Sequence, residues 1–179
     1  MIEKSFIVFA KGRADFRLRS ITERDIENLR VWKNRNKAFF FLKQDITYPQ
    51  QQKWFQAFTS RDDDFMFVVE QLVDKEWKEI GCMGFRKLED EGCIDAYNIM
   101  RAVKIEPSSF TMSEAFATLL KFAENRYDDL PIRCKVLIGN PAVRWYEKND
   151  FSIIGGTNDY CLMELNKQSL KNIQLVIQN

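Results

Sequence analysis

The sequence predicts a single α/β domain, in which helices pack on one mixed β-sheet. Strand-like and helix-like segments alternate along the chain, and this order is typical of the α/β class. A chain of 179 residues is long enough to form one complete hydrophobic core. No internal repeat, low-complexity tract or Pro/Gly-rich linker marks a boundary between domains. We therefore expect one domain over residues 1–179, with its core at about residues 15–165.

The first elements are two short strands and two helices. Residues 5–10 form an apolar run and residues 15–20 alternate in polarity, so both are predicted strands joined by a turn. Thr22 and Asp25 have the spacing of a capping box, which predicts a helix that begins there. Residues 50–58 present aromatic side chains at helical spacing and predict a second helix.

Three strands follow in the middle of the chain, at residues 65–70, 77–85 and 92–103. The first of them is almost continuously apolar, and the turn before the second is polar. The three consecutive phenylalanines at 39–41 fit neither a helix face nor a solvated loop.

The last third alternates between helix and strand. A second capping box at residues 111–114 predicts a helix to about Tyr127, with an apolar stripe at the i, i+3, i+4 period. A strand at residues 133–138 and a helix at 141–149 come next. A hairpin then closes the pattern, with strands at residues 151–154 and 160–165.

Composition excludes several classes of function. Lys plus Arg number 27 and Asp plus Glu 26, so no basic excess indicates a nucleic-acid partner. The first residues contain only a five-residue apolar run, too short for a signal peptide or a membrane span. We expect a cytoplasmic protein with no membrane partner.

The side chains available for catalysis are also restricted. The chain contains no histidine, which excludes Ser-His-Asp and Cys-His nucleophiles and histidine-ligated zinc. Its four cysteines form no Cys-x-x-Cys pair, and we interpret them as buried reduced thiols. No metal site is expected, and proton transfer falls to Asp, Glu, Tyr, Lys, Cys, a chain terminus or water.

The most specific motif covers the last helix and ends at the first residue of the last hairpin. Asn140, Ala142, Tyr146 and Phe151 follow an apolar strand, with Pro141 at the start of the helix. Their order, and from Ala142 onward their spacing, resembles a signature of the GCN5-related N-acetyltransferases (GNAT), Asn-x-x-Ala, then Tyr, then Gly-Phe; Asn140 lies one residue closer to Ala142 than in that signature. Asp150 replaces the usual glycine before Phe151.

This resemblance implies both a fold and a cosubstrate. It implies a mixed sheet of about seven strands, splayed between the fourth and fifth, with about four helices; the strand at residues 5–10 is extra. Acetyl-CoA would lie in the splay as cosubstrate, and its pantetheine arm would bond to unpaired backbone groups of Ala102 and Val103.

The loop before the third helix departs from the family pattern. Members of the family bind pyrophosphate on a loop reading Gln/Arg-x-x-Gly-x-Gly/Ala, and the match puts Phe110 and Met112 at the two glycine positions. Hydroxyl groups of the neighbouring serines and threonine are the alternative donors. An ordinary helix start is the competing interpretation. The cofactor-binding positions implied are Ala102, Val103, Ser108, Ser109, Phe110, Thr111, Met112, Ser113 and Asn140.

Tyr146 is the predicted catalytic residue. Members of the family often place a tyrosine on this helix near the sulfur of the coenzyme, where a phenol protonates the departing thiolate. The alternative is a core tyrosine with its hydroxyl at the surface. The general base is not identified, although Asp95, Glu70 and Tyr97 are candidates.

The amino-terminal half resembles one branch of the family, which includes ribosomal-protein N-terminal acetyltransferases and enzymes that acetylate nucleotide-linked amino sugars. Pieces such as Trp32-Lys33-Asn34 and Trp54-Phe55 resemble the sugar-nucleotide members more closely. Those members often carry a histidine where this chain has Gln51. The predicted substrate-binding residues are Trp32, Asn34, Asp95 and Tyr97. Core anchoring is the alternative for the tryptophans.

The predicted activity is direct transfer of acetyl from acetyl-CoA to a primary amine of a small molecule, with a nucleotide-linked amino sugar as first candidate. Two alternatives remain open: an acetyltransferase acting on protein amino termini, and a non-catalytic relative with a degenerate CoA loop. The apolar run at residues 173–177 is compatible with a strand, a helix or a contact within a homodimer.

Overall fold

The structure is a computed structural model, and it describes residues 5–103 and 112–178. Its nine strands are β1 (Ile7–Ala10), β2 (Phe16–Ser20), β3 (Asp64–Val73), β4 (Glu76–Leu88), β5 (Cys93–Arg101), β6 (Ile132–Leu137), β7 (Phe151–Gly156), β8 (Tyr160–Leu165) and β9 (Leu175–Gln178). Its α-helices are α1 (Ile26–Arg35), α2 (Tyr48–Thr59), α3 (Met112–Arg126) and α4 (Ala142–Lys148). No helix in these two stretches is long and apolar enough to cross a membrane.

All nine strands belong to one sheet, in the order β7-β8-β6-β5-β4-β3-β2-β1-β9. Every neighbouring pair is antiparallel except β5 and β6, which are parallel. This arrangement confirms the mixed α/β sheet, the four helices and the extra amino-terminal strand. The count of strands is one higher than predicted, because the tail forms β9 and pairs with β1.

Both faces of the central strands are covered, as β3 shows. Phe65, Phe67 and Val69 belong to one hydrophobic core, together with residues of α3 and α4. Met66 and Val68, which alternate with them, belong to a second core with residues of α1 and α2. Successive side chains of a strand point to opposite faces, so the part of β3 that both cores cover, residues 65–69, is apolar throughout.

Local capping chemistry determines where the helices begin. Asp25 accepts hydrogen bonds from the backbone nitrogen and the hydroxyl of Thr22, and a short 3₁₀ turn leads from there into α1. Gln50 accepts a bond of 2.8 Å from the backbone nitrogen of Thr47, so α2 begins two residues earlier than predicted.

The residue before β7 shows why a glycine is usual at that position. Asp150 has a φ of +64°, in the left-handed region that glycine adopts at the lowest cost. Aspartate tolerates this region better than most side chains. The turn between α4 and β7 is therefore kept without the glycine.

Candidate active site

A cavity opens where β5 and β6 separate. The two strands are in register only at Ile94 with Ile132 and at Asp95 with Arg133. Beyond these pairs, residues of both strands line a cavity of about 1210 Å³. The predicted splay is thus present, and the cavity exceeds the usual size of a pocket for a drug-sized ligand, ~300–1000 Å³. Its volume suits an extended molecule such as acetyl-CoA.

Tyr146 lies on α4 and faces this cavity. Its ring packs against Phe116 and Phe151, with centroids 5.7 and 5.5 Å away. The residue is 8% exposed, and its hydroxyl makes no hydrogen bond within residues 5–103 and 112–178. Burial raises the pKa of Tyr146 well above 10, and the nearby Cys134 and Asp95 act in the same direction. The phenol is therefore protonated at neutral pH and available as a donor.

Asn140 bonds to the first turn of α4 and also reaches across the cavity. Its side-chain oxygen accepts a 2.9 Å bond from the backbone nitrogen of Ala142, so it binds a free amide of the helix as predicted. Pro141 occupies the cap position, and the helix begins one residue later than expected. Its side-chain nitrogen donates to the backbone oxygen of Phe39 over 3.2 Å. The side chain is already engaged at both ends, and its predicted contact with the coenzyme stays a prediction.

The three phenylalanines form part of the cavity wall. The first of them, Phe39, is the last residue of a 3₁₀ turn at Lys37–Phe39. We call residues 39–42, which all line the cavity, the aromatic strap. Besides the contact of Phe39 with Asn140, the ring of Phe41 meets the ring of Tyr160 edge-on at 6.0 Å. The strap thus connects the segment after α1 with the α4 and β8 side of the cavity.

Two of the predicted substrate-binding residues, Asp95 and Tyr97, line the cavity on β5. Asp95 is buried and forms an ion pair of 2.9 Å with Arg86. Burial raises the pKa of Asp95, although the charge of Arg86 and its hydrogen bond oppose the rise. Tyr97 donates to Asp64, and burial together with that carboxylate raises the pKa of Tyr97. The guanidinium group of Arg86, which pairs with Asp95, also lies 4.9 Å from the centre of the Tyr97 ring, so Arg86 contacts both side chains.

The other two predicted substrate-binding residues lie away from the main cavity. Trp32 is buried in the second core with Leu29 and Phe58, so the structure favours the anchoring alternative. Asn34 bonds through its side chain to both the backbone nitrogen and oxygen of Ile46, at 2.8 and 2.9 Å. It fixes the segment before α2, and neither residue lines the cavity.

The cofactor-binding predictions have mixed outcomes. The backbone amides of Ala102 and Val103 are already engaged, because both donate to the backbone oxygen of Ile80, at 2.8 and 3.1 Å. The predicted contact of these two residues with the pantetheine arm stays a prediction. Met112 and Ser113, at the start of α3, do line the cavity. The remaining positions, Ser108, Ser109, Phe110 and Thr111, lie outside the described residues. Within the described residues, the stretch of β5 from Tyr97 to Arg101 pairs with β4 and has no strand partner on the side facing β6.

Sequence reasoning missed Lys33, which lies on α1 and lines the cavity. Its ammonium group donates to the side-chain oxygen of Asn98 over 2.8 Å and lies 5.1 Å from the centre of the Phe40 ring. Asn98 occupies an irregularity of β5, where its φ is +52°. Burial lowers the pKa of Lys33, and the charge of Arg86 acts in the same direction. Only the adjacent Trp-Lys-Asn pattern pointed toward this region.

A smaller pocket of about 240 Å³ adjoins the cavity, since Lys33, Asn98, Leu42 and Met100 line both. Gln51 of α2 also lines it and is only 6% exposed. Its side-chain amide makes no hydrogen bond in the described part of the chain. The described residues contain no cluster of three or more Asp, Glu or Cys side chains suited to a metal ion.

Comparisons with known proteins agree with this architecture. The acetyltransferase (GNAT) domain family matches residues 15–152. No curated protein sequence matches the chain significantly.

Solved structures share the fold at low sequence identity. FdhC, described as a nucleotide-linked sugar GNAT, aligns with a TM-score of 0.73 and 13% identity, over 91% of this chain and 93% of its own. A mutant of the spermidine N-acetyltransferase SpeG from Vibrio cholerae aligns with a TM-score of 0.69 and 16% identity, over 89% of this chain and 98% of its own. A domain from Methanocaldococcus jannaschii aligns with a TM-score of 0.70 and 16% identity, over 88% of this chain and 100% of its own. Because the GNAT family covers most of the chain, and the splayed sheet agrees with it, this protein belongs to the GNAT family of N-acetyltransferases.

Proposed function

We propose that this protein transfers the acetyl group of acetyl-CoA directly to a primary amine of a small molecule. The observation that carries the proposal is the cavity between β5 and β6, which Tyr146 of α4 lines. The amine nitrogen forms a bond to the thioester carbonyl carbon, and the carbon–sulfur bond breaks. The departing thiolate takes a proton, and the amine gives one up.

Tyr146 is the proposed proton donor to the thiolate. Its raised pKa keeps the phenol protonated throughout the neutral range, so the donor is present whenever the thiolate leaves. Asp95 is the best-placed described carboxylate for removing the amine proton, directly or through water, because it lines the same cavity and its pKa is raised. Its ion pair with Arg86 holds the carboxylate in one orientation.

A nucleotide-linked amino sugar is the first candidate acceptor. The Trp-Lys-Asn and Trp-Phe pieces support this choice, and so does the likeness in fold to a nucleotide-linked sugar GNAT. Spermidine is the acceptor named for other proteins of similar fold, and a protein amino terminus is the third candidate.

Binding of acetyl-CoA tests the proposal at its first step. A ligand that binds only the folded protein at 100 times its Kd adds about 2.7 kcal/mol of stability. For a chain of this size this corresponds to a rise in Tm of roughly 5–11 °C. ATP, which lacks the pantetheine arm, serves as control. Absence of a shift at millimolar acetyl-CoA would favour the non-catalytic alternative.

Turnover is then measured as thiol release in the presence of candidate amines. We expect free CoA and acetylated amine to appear in equal amounts, because direct transfer leaves no acetyl group on the protein. Acetyl-enzyme detected by mass spectrometry before the amine is added would contradict the direct mechanism.

Self-association is a separate prediction. Strand β9 is an outer strand of the sheet, and its Val176 and Ile177 are 42% and 46% exposed. A spermidine N-acetyltransferase of similar fold from Vibrio cholerae is described as dodecameric (TM-score 0.66, 16% identity, over 89% of this chain and 98% of its own). We expect a homodimer by light scattering; a monomer at micromolar concentration would contradict it.

A further inference from the structure

We propose that the acceptor amine belongs to a molecule that also carries a carboxylate or phosphate group, that Lys33 binds this anion, and that Gln51 bonds to a polar group beside it. This inference rests on the proposed acetyl transfer and specifies its substrate class. It comes from the charges and the unused hydrogen-bonding groups that line the two adjoining pockets.

The carboxylates that line the two pockets are already paired. Asp95 pairs with Arg86 over 2.9 Å, and Glu91 with Lys135 over 2.7 Å. Asp45 of the smaller pocket pairs with Lys37 over 2.8 Å. Among the described lining residues, no carboxylate is therefore left to attract a cationic acceptor.

The cations are not balanced in the same way. Lys33 and Arg101 line the cavity and form no ion pair with a described carboxylate, and of these two only Lys33 is partly buried. A cation withdrawn from water is costly unless an anion or hydrogen bonds compensate it. One amide oxygen and one aromatic ring compensate Lys33 only in part. The lowered pKa of Lys33 has the same cause, and a bound anion would reverse it.

The position of Lys33 determines where the anion lies. Lys33 and Asn98 line both the main cavity and the smaller pocket, so the ammonium group lies where the two adjoin. Tyr146 lines only the main cavity. An acceptor whose amine is in the main cavity would thus extend toward the smaller pocket with its anionic end.

Gln51 is the second observation that points to a ligand. Gln51 is more than nine-tenths buried as a residue and lines the smaller pocket, and its amide has no hydrogen-bond partner in the described chain. The amide is not among the buried unsatisfied groups, so it remains accessible to a ligand in the pocket. A hydroxyl or carbonyl group of the acceptor would supply that partner.

This arrangement disfavours a polyamine. Spermidine would bring further positive charge next to Lys33 and the nearby Arg86, with no unpaired described carboxylate to receive it. Like charges at close range repel each other. We therefore expect this protein to differ in acceptor from the spermidine enzymes that share its fold.

Matched amines test the proposal by thiol release. Glucosamine 6-phosphate is compared with glucosamine, and 4-aminobutyrate with 1-aminobutane, while spermidine represents the polycations. We expect kcat/KM to be at least tenfold higher for the anionic member of one or both pairs. The pair that shows the preference distinguishes phosphate from carboxylate.

Variants then connect the preference to Lys33. Lys33→Met keeps the length of the side chain and removes its charge, so it should raise KM for the anionic acceptor roughly 10- to 100-fold. KM for acetyl-CoA should stay the same and the melting temperature should not fall, because the removed charge was only partly compensated. Lys33→Arg should restore most of the preference. Gln51→Leu should raise the acceptor KM several-fold. Lys53→Met, an exposed lysine on α2, is the control for loss of one charge.

Different results overturn different parts. Equal or faster turnover of the neutral amine in both pairs, or faster turnover of spermidine than of every anionic amine, would overturn the anionic acceptor and leave acetyl transfer intact. So would a Lys33→Met variant whose activity falls equally for charged and neutral amines. A protein that binds acetyl-CoA and acetylates no amine would overturn the proposed function, and the inference with it.

Discussion

Replacing Tyr146 with phenylalanine removes one hydroxyl group from the cavity and leaves the aromatic ring in place. The ring contacts with Phe116 and Phe151 do not involve the hydroxyl, so the packing of α4 on the core is retained. The hydroxyl has no hydrogen-bond partner in the described residues, so its removal leaves no buried group unpaired. We expect the free energy of unfolding to change by less than about 1 kcal/mol.

The expected loss is in turnover. General acid catalysis contributes roughly 10²- to 10⁴-fold to a rate. Burial raises the pKa of Tyr146 and makes it a weaker acid, so we expect the lower end, about 100-fold in kcat, or about 2.7 kcal/mol. KM for acetyl-CoA should change less than twofold, since the hydroxyl acts on the departing sulfur.

The assay measures kcat and KM by thiol release and Tm by thermal unfolding on the same preparations. Tyr127→Phe is the matched control, because Tyr127 packs against the same core and does not line the cavity. A Tyr146→Phe enzyme with kcat within twofold of the unmodified protein would remove Tyr146 from the chemistry. An equal loss in both variants would show that the effect is not specific to the site.

Three further predictions test the packing and the ionisation. A Cβ atom on Gly81 would lie 2.1 Å from a backbone oxygen of β5, so Gly81→Ala should destabilise the fold by about 2–3 kcal/mol and lower Tm by roughly 4–12 °C. Gly155 has open space around it, so Gly155→Ala should leave Tm nearly unchanged. Equal effects of the two substitutions would contradict this packing. Cys161 is the only half-buried cysteine of the four, and the other three are buried. About one thiol per native chain should therefore react with Ellman's reagent, and four thiols should react after unfolding. Rapid reaction of a second thiol in the native protein would contradict the burial. Burial raises the pKa of Tyr97 and Tyr146 well above 10. The stability that these two residues contribute is therefore complete below about pH 10 and declines as the pH rises further. Absorbance at 295 nm should show two tyrosines that ionise late, and their ionisation by pH 10 would refute the raised pKa values.

The parts of the fold that depend on local chemistry could be predicted from the sequence. Asn140 binds a free amide at the start of α4 as expected, because an asparagine followed by proline has a strong local preference for that position. The apolar run at residues 65–70 became a strand buried on both faces, which is what such a run requires. The order of these local signals was enough to reveal the resemblance to the GNAT family, and that resemblance predicted the splayed sheet.

The parts that depend on distant partners could not be predicted. Whether the Ala102 and Val103 amides are free depends on Ile80, more than twenty residues earlier in the chain. Likewise, a lysine becomes a binding candidate only when the nearby carboxylates are paired elsewhere, and no local pattern reveals such pairings at Lys33. Asn140 and Tyr160, the partners of Phe39 and Phe41, lie about a hundred residues away along the chain.

The brief register between β5 and β6 has a mechanical consequence. In the described chain, the strands on either side of this separation form two parts of one sheet, which only two residue pairs of β5 and β6 join. A molecule bound between the two parts takes the place of a neighbouring strand and holds them in a fixed relative position. We therefore expect the two parts of the sheet to be held more rigidly when substrates are bound than when they have been released.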